Sequence, residues 1–226
     1  HNYRIKITFQ DHSVATPDLE MPVTVIGAEG QDVVFNKKST NEAPTITEQD
    51  VDHKTVISNE NDLSQFGASI TWKKSDGTAI DWTKPTLNHD GQVVAVPVTV
   101  TVHYNDHTTQ DVNLNLKING SASIDASHYT AVDNMSVHYG QDISNDAIGL
   151  IKHDGTTLTT ANLASQGIQS VAWVTNPNTA VASANGEYDL TNQVIKITFA
   201  DGSVLTKNTT VKVFSGYNKA DKNVTI

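Results

Sequence analysis

Apolar and polar residues alternate with a period of two over most of this chain, the spacing that sets one face of a strand against a core and the other in water. The pattern is sharpest in VIKITFADGSVLTKNTTVKVF, residues 194–214. There Val194, Ile195, Ile197 and Phe199 run into the turn Ala200-Asp201-Gly202-Ser203, and Val211 and Val213 share one side of the return strand. Alternation around Asp-Gly is a strong hairpin signal. The same phrase occurs in YRIKITFQDHSVATPDLEMPVTV (residues 3–25) and in VTVTVHYNDHTTQDVNLNLKI (residues 98–118). Phe9, Tyr104 and Phe199 precede the three turns at intervals of 95 residues, and Asp11, Asp106 and Asp201 each follow two places later. One unit has been duplicated. Gly202 is replaced by His12 and His107 in the other copies, and because His tolerates positive φ, one turn geometry is expected for all three. Met21 and Val23, Leu116 and Ile118, and Val211 and Val213 fall at matching places after the turn Asp and are expected to share a buried face.

Similarity between the hairpins is weaker. NDLSQFGASITW (61–72) parallels ANLASQGIQSVAW (161–173), and each ends in an alternating strand that reaches a Trp. Further turns are expected at Asp76-Gly77 and Asp154-Gly155, and loops or linkers over 36–45 and 119–127. Gly30-Gln31-Asp32 and Gly140-Gln141-Asp142 each read as the start of a strand. A turn or two of helix is expected within 58–67 and 142–151, behind Ser or Asn caps. Short strands in units near 95 residues predict an all-β chain of tandem Ig-like β-sandwich domains. The expected division is 1–119 and 120–226. In the other phase of the repeat, 1–28 is the closing hairpin of a preceding unit and 216–226 the start of a further one. A lone hairpin is marginal in water, so 1–27 is expected to dock on the first full unit.

Composition narrows the function. A net charge of −10 and a pI near 5.2, with no Lys/Arg cluster, set the field against phosphate backbones and anionic lipid, so no nucleic-acid partner is expected. No apolar run approaches the roughly 18 residues of a membrane span, so no membrane insertion is expected either. The absence of cysteine excludes disulfides, Zn-thiolate and Fe–S sites, and thiol nucleophiles. A Thr- and Asn-rich β-chain without cysteine fits the extracellular domains of Gram-positive bacteria better than it fits the cytosol. The chain opens inside a strand, as a mature fragment or an excised piece would.

The stretch AVPVTVTVHYNDHTTQDVNLNLKI, preceded by SDGTAIDWTKP, resembles the closing part of Rib and alpha-like repeats, tandem domains of streptococcal and lactobacillus surface proteins. Their usual ending is a Pro-Val strand, an aromatic residue, an Asp-Gly turn and a Val-alternating strand. Pro97-Val98-Thr99-Val100, Tyr104, Asp106 and residues 112–118 carry that pattern here. The third copy has Val194-Ile195 in place of Pro-Val, and in the first copy Pro22 stands on the opposite strand. A related Ig-like repeat of a lactobacillus surface or S-layer-associated protein shares these features. The resemblance implies an Ig-like fold, export, a place in a wall-anchored stalk or adhesin, and no catalysis.

Candidate chemistry is sparse. His103 and His107 are four apart but separated by a turn. His53, His89, His128, His138 and His153 are scattered without ligand spacing, so surface loops are expected and no metal site. The acidic run SNENDLSQ (58–65) fails the EF-hand pattern, although Asp and Asn at loop ends suit calcium between domains. No Gly-x-Ser-x-Gly, no supported carboxylate pair and no phosphate loop is present, so neither an enzyme nor a cofactor is expected. Trp72 and Trp173 end equivalent strands and are expected in cores. Trp82 lacks a counterpart and is the ligand-binding candidate, as a stacking face for sugar. An internal isopeptide bond would need a buried Lys, an Asn or Asp and a catalysing carboxylate together. The expected function is a surface stalk, surface-layer or adhesin segment, with neighbouring repeats or copies of the same protein as partners. The alternatives are a module that binds host glycans, host glycoproteins or wall polymer, and an accessory domain of a secreted glycosidase.

Overall fold

A computed structural model of the chain describes residues 2–4, 6–15, 20–22, 28–58, 68–181 and 186–214. The expected helical turn at 58–67, the face of Met21 and Val23, and the segment 216–226 lie wholly or mainly outside the described residues. The chain begins with short antiparallel pairs, β1 (Asn2–Arg4) with β4 (Glu20–Pro22) and β2 (Ile7–Thr8) with β3 (Val14–Ala15).

Two units of like topology follow. In the first, β6 (Val33–Asn36) runs parallel to β10 (Thr109–Asn119), which pairs antiparallel with β9 (Val96–His103), which pairs with β8 (Ser69–Lys74). A second layer pairs β5 (Glu29–Gly30) with β7 (Ile57–Ser58). After the helical turn α1 (Ser121–Ile124), the second unit repeats the order. Its main sheet places β12 (Met135–His138) parallel to β17 (Val204–Phe214), then β16 (Glu187–Phe199), then β15 (Ile168–Trp173). Its second layer is β11 (Tyr129–Ala131), β13 (Ile151–His153) and β14 (Thr156–Thr157). A first strand running parallel to the last, followed by the penultimate strand and one earlier strand, is an Ig-like arrangement, and the protein is all-β as the alternation predicts.

The turn is the same structure three times. Phe9, Tyr104 and Phe199 each donate a backbone hydrogen bond to residue i+4 and accept one from residue i+3. Residues His12, His107 and Gly202 sit at φ of 63°, 65° and 83°, as expected for a three-residue loop that closes on a left-handed residue. The Asp side chain of each turn accepts from the N–H and hydroxyl of the residue two places on: Ser13, Thr108 and Ser203. An Asp with a hydroxyl residue two places on thus closes the hairpin locally.

Each unit encloses its own core. Val98, Val100, Val102, Leu114, Leu116 and Ile118 point into the first, and Ile195, Ile197, Phe199, Val211 and Val213 into the second. Trp72 stands opposite Val100 and Trp173 opposite Ile195, positions 95 residues apart, and both indoles are buried as expected. Their N–H groups donate to the carbonyls of Pro44 at 3.0 Å and Ile143 at 2.8 Å. Asp50 is also buried, and its carboxylate accepts from the N–H groups of Val34, Asp52 and Lys54.

Three expectations are corrected. The first ribbon does not share the surroundings of the other two: Phe9 is 51% exposed where Phe199 is 0%, and Ile7 and Val14 are exposed too. Its described side chains are therefore not part of the first core. Gly140 ends a strand rather than starting one, turning at φ 73° after β12. The segment after Asn119 is not a free linker; α1 buries Ala122 in the second core. A helical turn in 142–151 is present, as the 3-10 segment Asp146–Leu150, without a side-chain cap.

Trp72→Phe and Trp173→Phe are each expected to cost about 1–3 kcal/mol in urea unfolding, because each leaves a buried carbonyl without its donor. Tyr188→Phe, on an exposed ring, is expected to leave the midpoint unchanged.

Candidate functional site

Trp82 is not a surface platform. It is 3% exposed and packs edge-on against Trp72, with centroids 5.1 Å apart, and against Phe35 at 6.0 Å. Its backbone fixes the loop after β6, since Trp82 N–H donates to Asn41 Oδ1 and its carbonyl accepts from Lys38 N–H. A ring fully enclosed by two aromatic neighbours has no free face for sugar. The ligand-binding expectation for Trp82 gives way to a core role, which adds a third aromatic residue to the first unit.

The polar contacts gather instead where the units meet. Asp201 Oδ1 closes its own turn, while Oδ2 accepts from Lys37 Nζ at 2.5 Å and from Ser121 N–H at 2.8 Å. Lys37 lies just past β6 of the first unit and also reaches Ser121 Oγ at 2.8 Å. Beside it, Ala122 N–H donates to Ser203 Oγ, and Val204 N–H donates to the carbonyl of Gly91. Glycine is required at this approach. A Cβ on Gly120 would stand 2.9 Å from Pro85 and Ser203, and one on Gly91, already at φ 79°, would stand 2.7 Å from Val204. Among the described contacts the Lys37–Asp201 pair is surrounded by hydroxyls and N–H groups and is an ion pair with no second carboxylate bonded to it.

Asp201 is the turn Asp of the third copy; Asp106, its equivalent, bonds only to Thr108 among the described residues. Burial alone would raise the Asp201 carboxyl, but the Lys37 ammonium, the Ser203 hydroxyl and the Ser121 and Ser203 N–H groups outweigh it and hold the group far below the usual carboxylate range. Burial also opposes ionisation of Asp50, and the N–H groups of Val34, Lys54 and Asp52 again prevail. A groove of about 640 Å³ opens beside this junction, lined by Lys74, Asp76, Asp81, Lys84 and Asp201 over a floor that includes Pro85 and Ile118. No aromatic side chain lines it.

The histidines are not all scattered. His128, His153 and Asp154 converge on the second unit, with their ligating atoms within 4.8 Å of one another. The adjacency comes from the pairing of Tyr129 with His153 across β11 and β13, a register that sequence separation hides. His103 bonds to Thr71 Oγ1 across the first sheet, and His107 serves the turn.

Because the Asp201 and Asp50 carboxyls are depressed in the folded chain, their contribution is complete above the unfolded carboxylate pKa of about 4 and is lost as pH falls below it. Urea unfolding from pH 7 to 2 is expected to show this loss, with a shallower acid slope in Asp201→Asn. A double-mutant cycle of Lys37→Ala with Asp201→Ala is expected to give a coupling of about 1 kcal/mol, limited by the solvent that still reaches Lys37.

The Rib domain family model matches residues 30–120, the span from β5 through β10. No curated protein sequence matches the chain. Solved structures similar to it include Drosophila N-cadherin extracellular domains 1–3, 11% identical with a TM-score of 0.27, covering 83% of this chain and 63% of that one. Protocadherin gamma B7 extracellular domains 1–4 are 12% identical with a TM-score of 0.19, covering 95% and 58%. The chain therefore spans less than two thirds of either cadherin fragment. No helix among the described residues is long and apolar enough to cross a membrane. The match over residues 30–120 supports a Rib-type repeat of Gram-positive surface proteins in that part of the chain.

Proposed function

We propose that this chain is a non-catalytic stalk or adhesin segment, exported and associated with the bacterial cell wall, in which tandem Ig-like domains set distance and stiffness. The units are 1–119 and 120–226, or, in the other phase of the repeat, 1–28 is the closing hairpin of a preceding repeat and the first unit begins after it. Exposure of Ile7, Phe9 and Val14, where the third copy buries Phe199, supports that assignment of the first ribbon. Its partners are neighbouring repeats or further copies of the protein.

The observation that carries the reading is the junction itself. An ordinary flexible linker leaves the angle between domains free. Here the second unit starts at once: Lys37 of the first unit bonds to Asp201 and Ser121 of the second, and the Gly91 carbonyl of the first accepts from Val204 N–H of the second. Closed cores joined by fixed contacts make a spacer whose length grows with each copy.

A carbohydrate module would instead present aromatic rings to solvent, and both the buried Trp82 and the groove without aromatic side chains weigh against it. The full chain is expected to bind no glycan on an array and to leave mucin and purified wall polymer unbound in pull-down. Saturable binding to any of them would replace this reading with that of a carbohydrate- or glycoprotein-binding module.

A further inference from the structure

We propose that His128, His153 and Asp154 form a binding site for a zinc-type transition-metal dication on the second unit. The donors are His128 Nδ1, His153 Nε2 and the Asp154 carboxylate. His128 Nδ1 lies 2.8 Å from Asp154 Oδ1, and His153 Nε2 lies 3.7 Å from Asp154 Oδ2. Tetrahedral coordination at about 2.0–2.1 Å sets ligands roughly 3.4 Å apart. The observed separations fall on both sides of that value, and none exceeds 4.8 Å.

The backbone holds this arrangement. Tyr129 pairs with His153, so His128 and Asp154 flank one rung of the β11–β13 ladder, and Asp154 N–H donates to the His128 carbonyl at 2.9 Å. Asp154 and Gly155 both have positive φ, 48° and 80°, between the paired residues His153 and Thr156. That is a two-residue type I′ hairpin, the tightest connection two antiparallel strands accept. The His153 ring lies 4.7 Å from the Tyr129 ring, which is buried and meets Phe199 edge-on at 5.5 Å, so one ligand is oriented from the core.

Two imidazoles and one carboxylate suit zinc, copper or nickel rather than calcium or magnesium, which favour oxygen donors alone. Three protein ligands leave a position for water or an outside donor. Coordination through Nδ1 requires the proton of His128 to sit on Nε2, and the ion then replaces the His128–Asp154 hydrogen bond.

The test is calorimetric titration of the full chain with zinc chloride, with magnesium chloride as the contrast. One equivalent of zinc is expected to bind and to raise the thermal midpoint, with no response to magnesium. His128→Gln with Asp154→Asn is expected to abolish saturable uptake; Asn tolerates the left-handed turn, and far-UV circular dichroism verifies the fold. Should the double variant not fold, His128→Gln alone alters one exposed side chain and serves the same comparison. Failure of the wild type to take up zinc would overturn the site, and so would undiminished uptake by a folded variant.

Discussion

Asp201 holds its own turn with one carboxylate oxygen, and with the other it accepts from Lys37 of the neighbouring unit and from the Ser121 N–H at the start of its own. The first task is shared by Asp11 and Asp106 and is local chemistry, since a carboxylate two residues before Ser or Thr satisfies an N–H that would otherwise face solvent at a bend. The second task belongs to position. The β16–β17 turn lies against the start of its own unit and against the segment just past β6 of the one before, so the free oxygen finds Lys37 and the Ser121 N–H. A side chain only 9% exposed would be costly to ionise alone, and the cation and donors arranged around it make the charged form the stable one.

The rest of the junction follows from that contact. Gly91 and Gly120 admit backbones at distances a Cβ would forbid, and Ser203 extends its turn bond into a contact with Ala122. Each sandwich has its own core with a Trp whose ring is buried and whose N–H is paired, and the contacts of Lys37 and Gly91 across the junction lie outside both cores.

Period-two alternation and the evenly spaced Phe9, Tyr104 and Phe199 made the all-β fold, the hairpins and the shared positive-φ turn legible, because these depend on residues close in sequence. Trp72 and Trp173 were legible for the same reason. Burial of Trp82 is not legible in the sequence, since lack of a counterpart says nothing about burial, and its aromatic partners Phe35 and Trp72 come from two separate strands. The junction was hidden because Asp11, Asp106 and Asp201 look alike along the chain, and only the packing of units distinguishes them. His128 and Asp154 were hidden by a register between two short strands, which no periodicity encodes.

The orientation between units tests this account most directly. The chain has no cysteine, so spin labels at Glu42→Cys and Val174→Cys, both exposed sites, report one distance across the junction by electron–electron resonance. A fixed junction gives a single narrow distribution that broadens in Asp201→Ala. A distribution already broad in the labelled parent, and unchanged by Asp201→Ala, would contradict it.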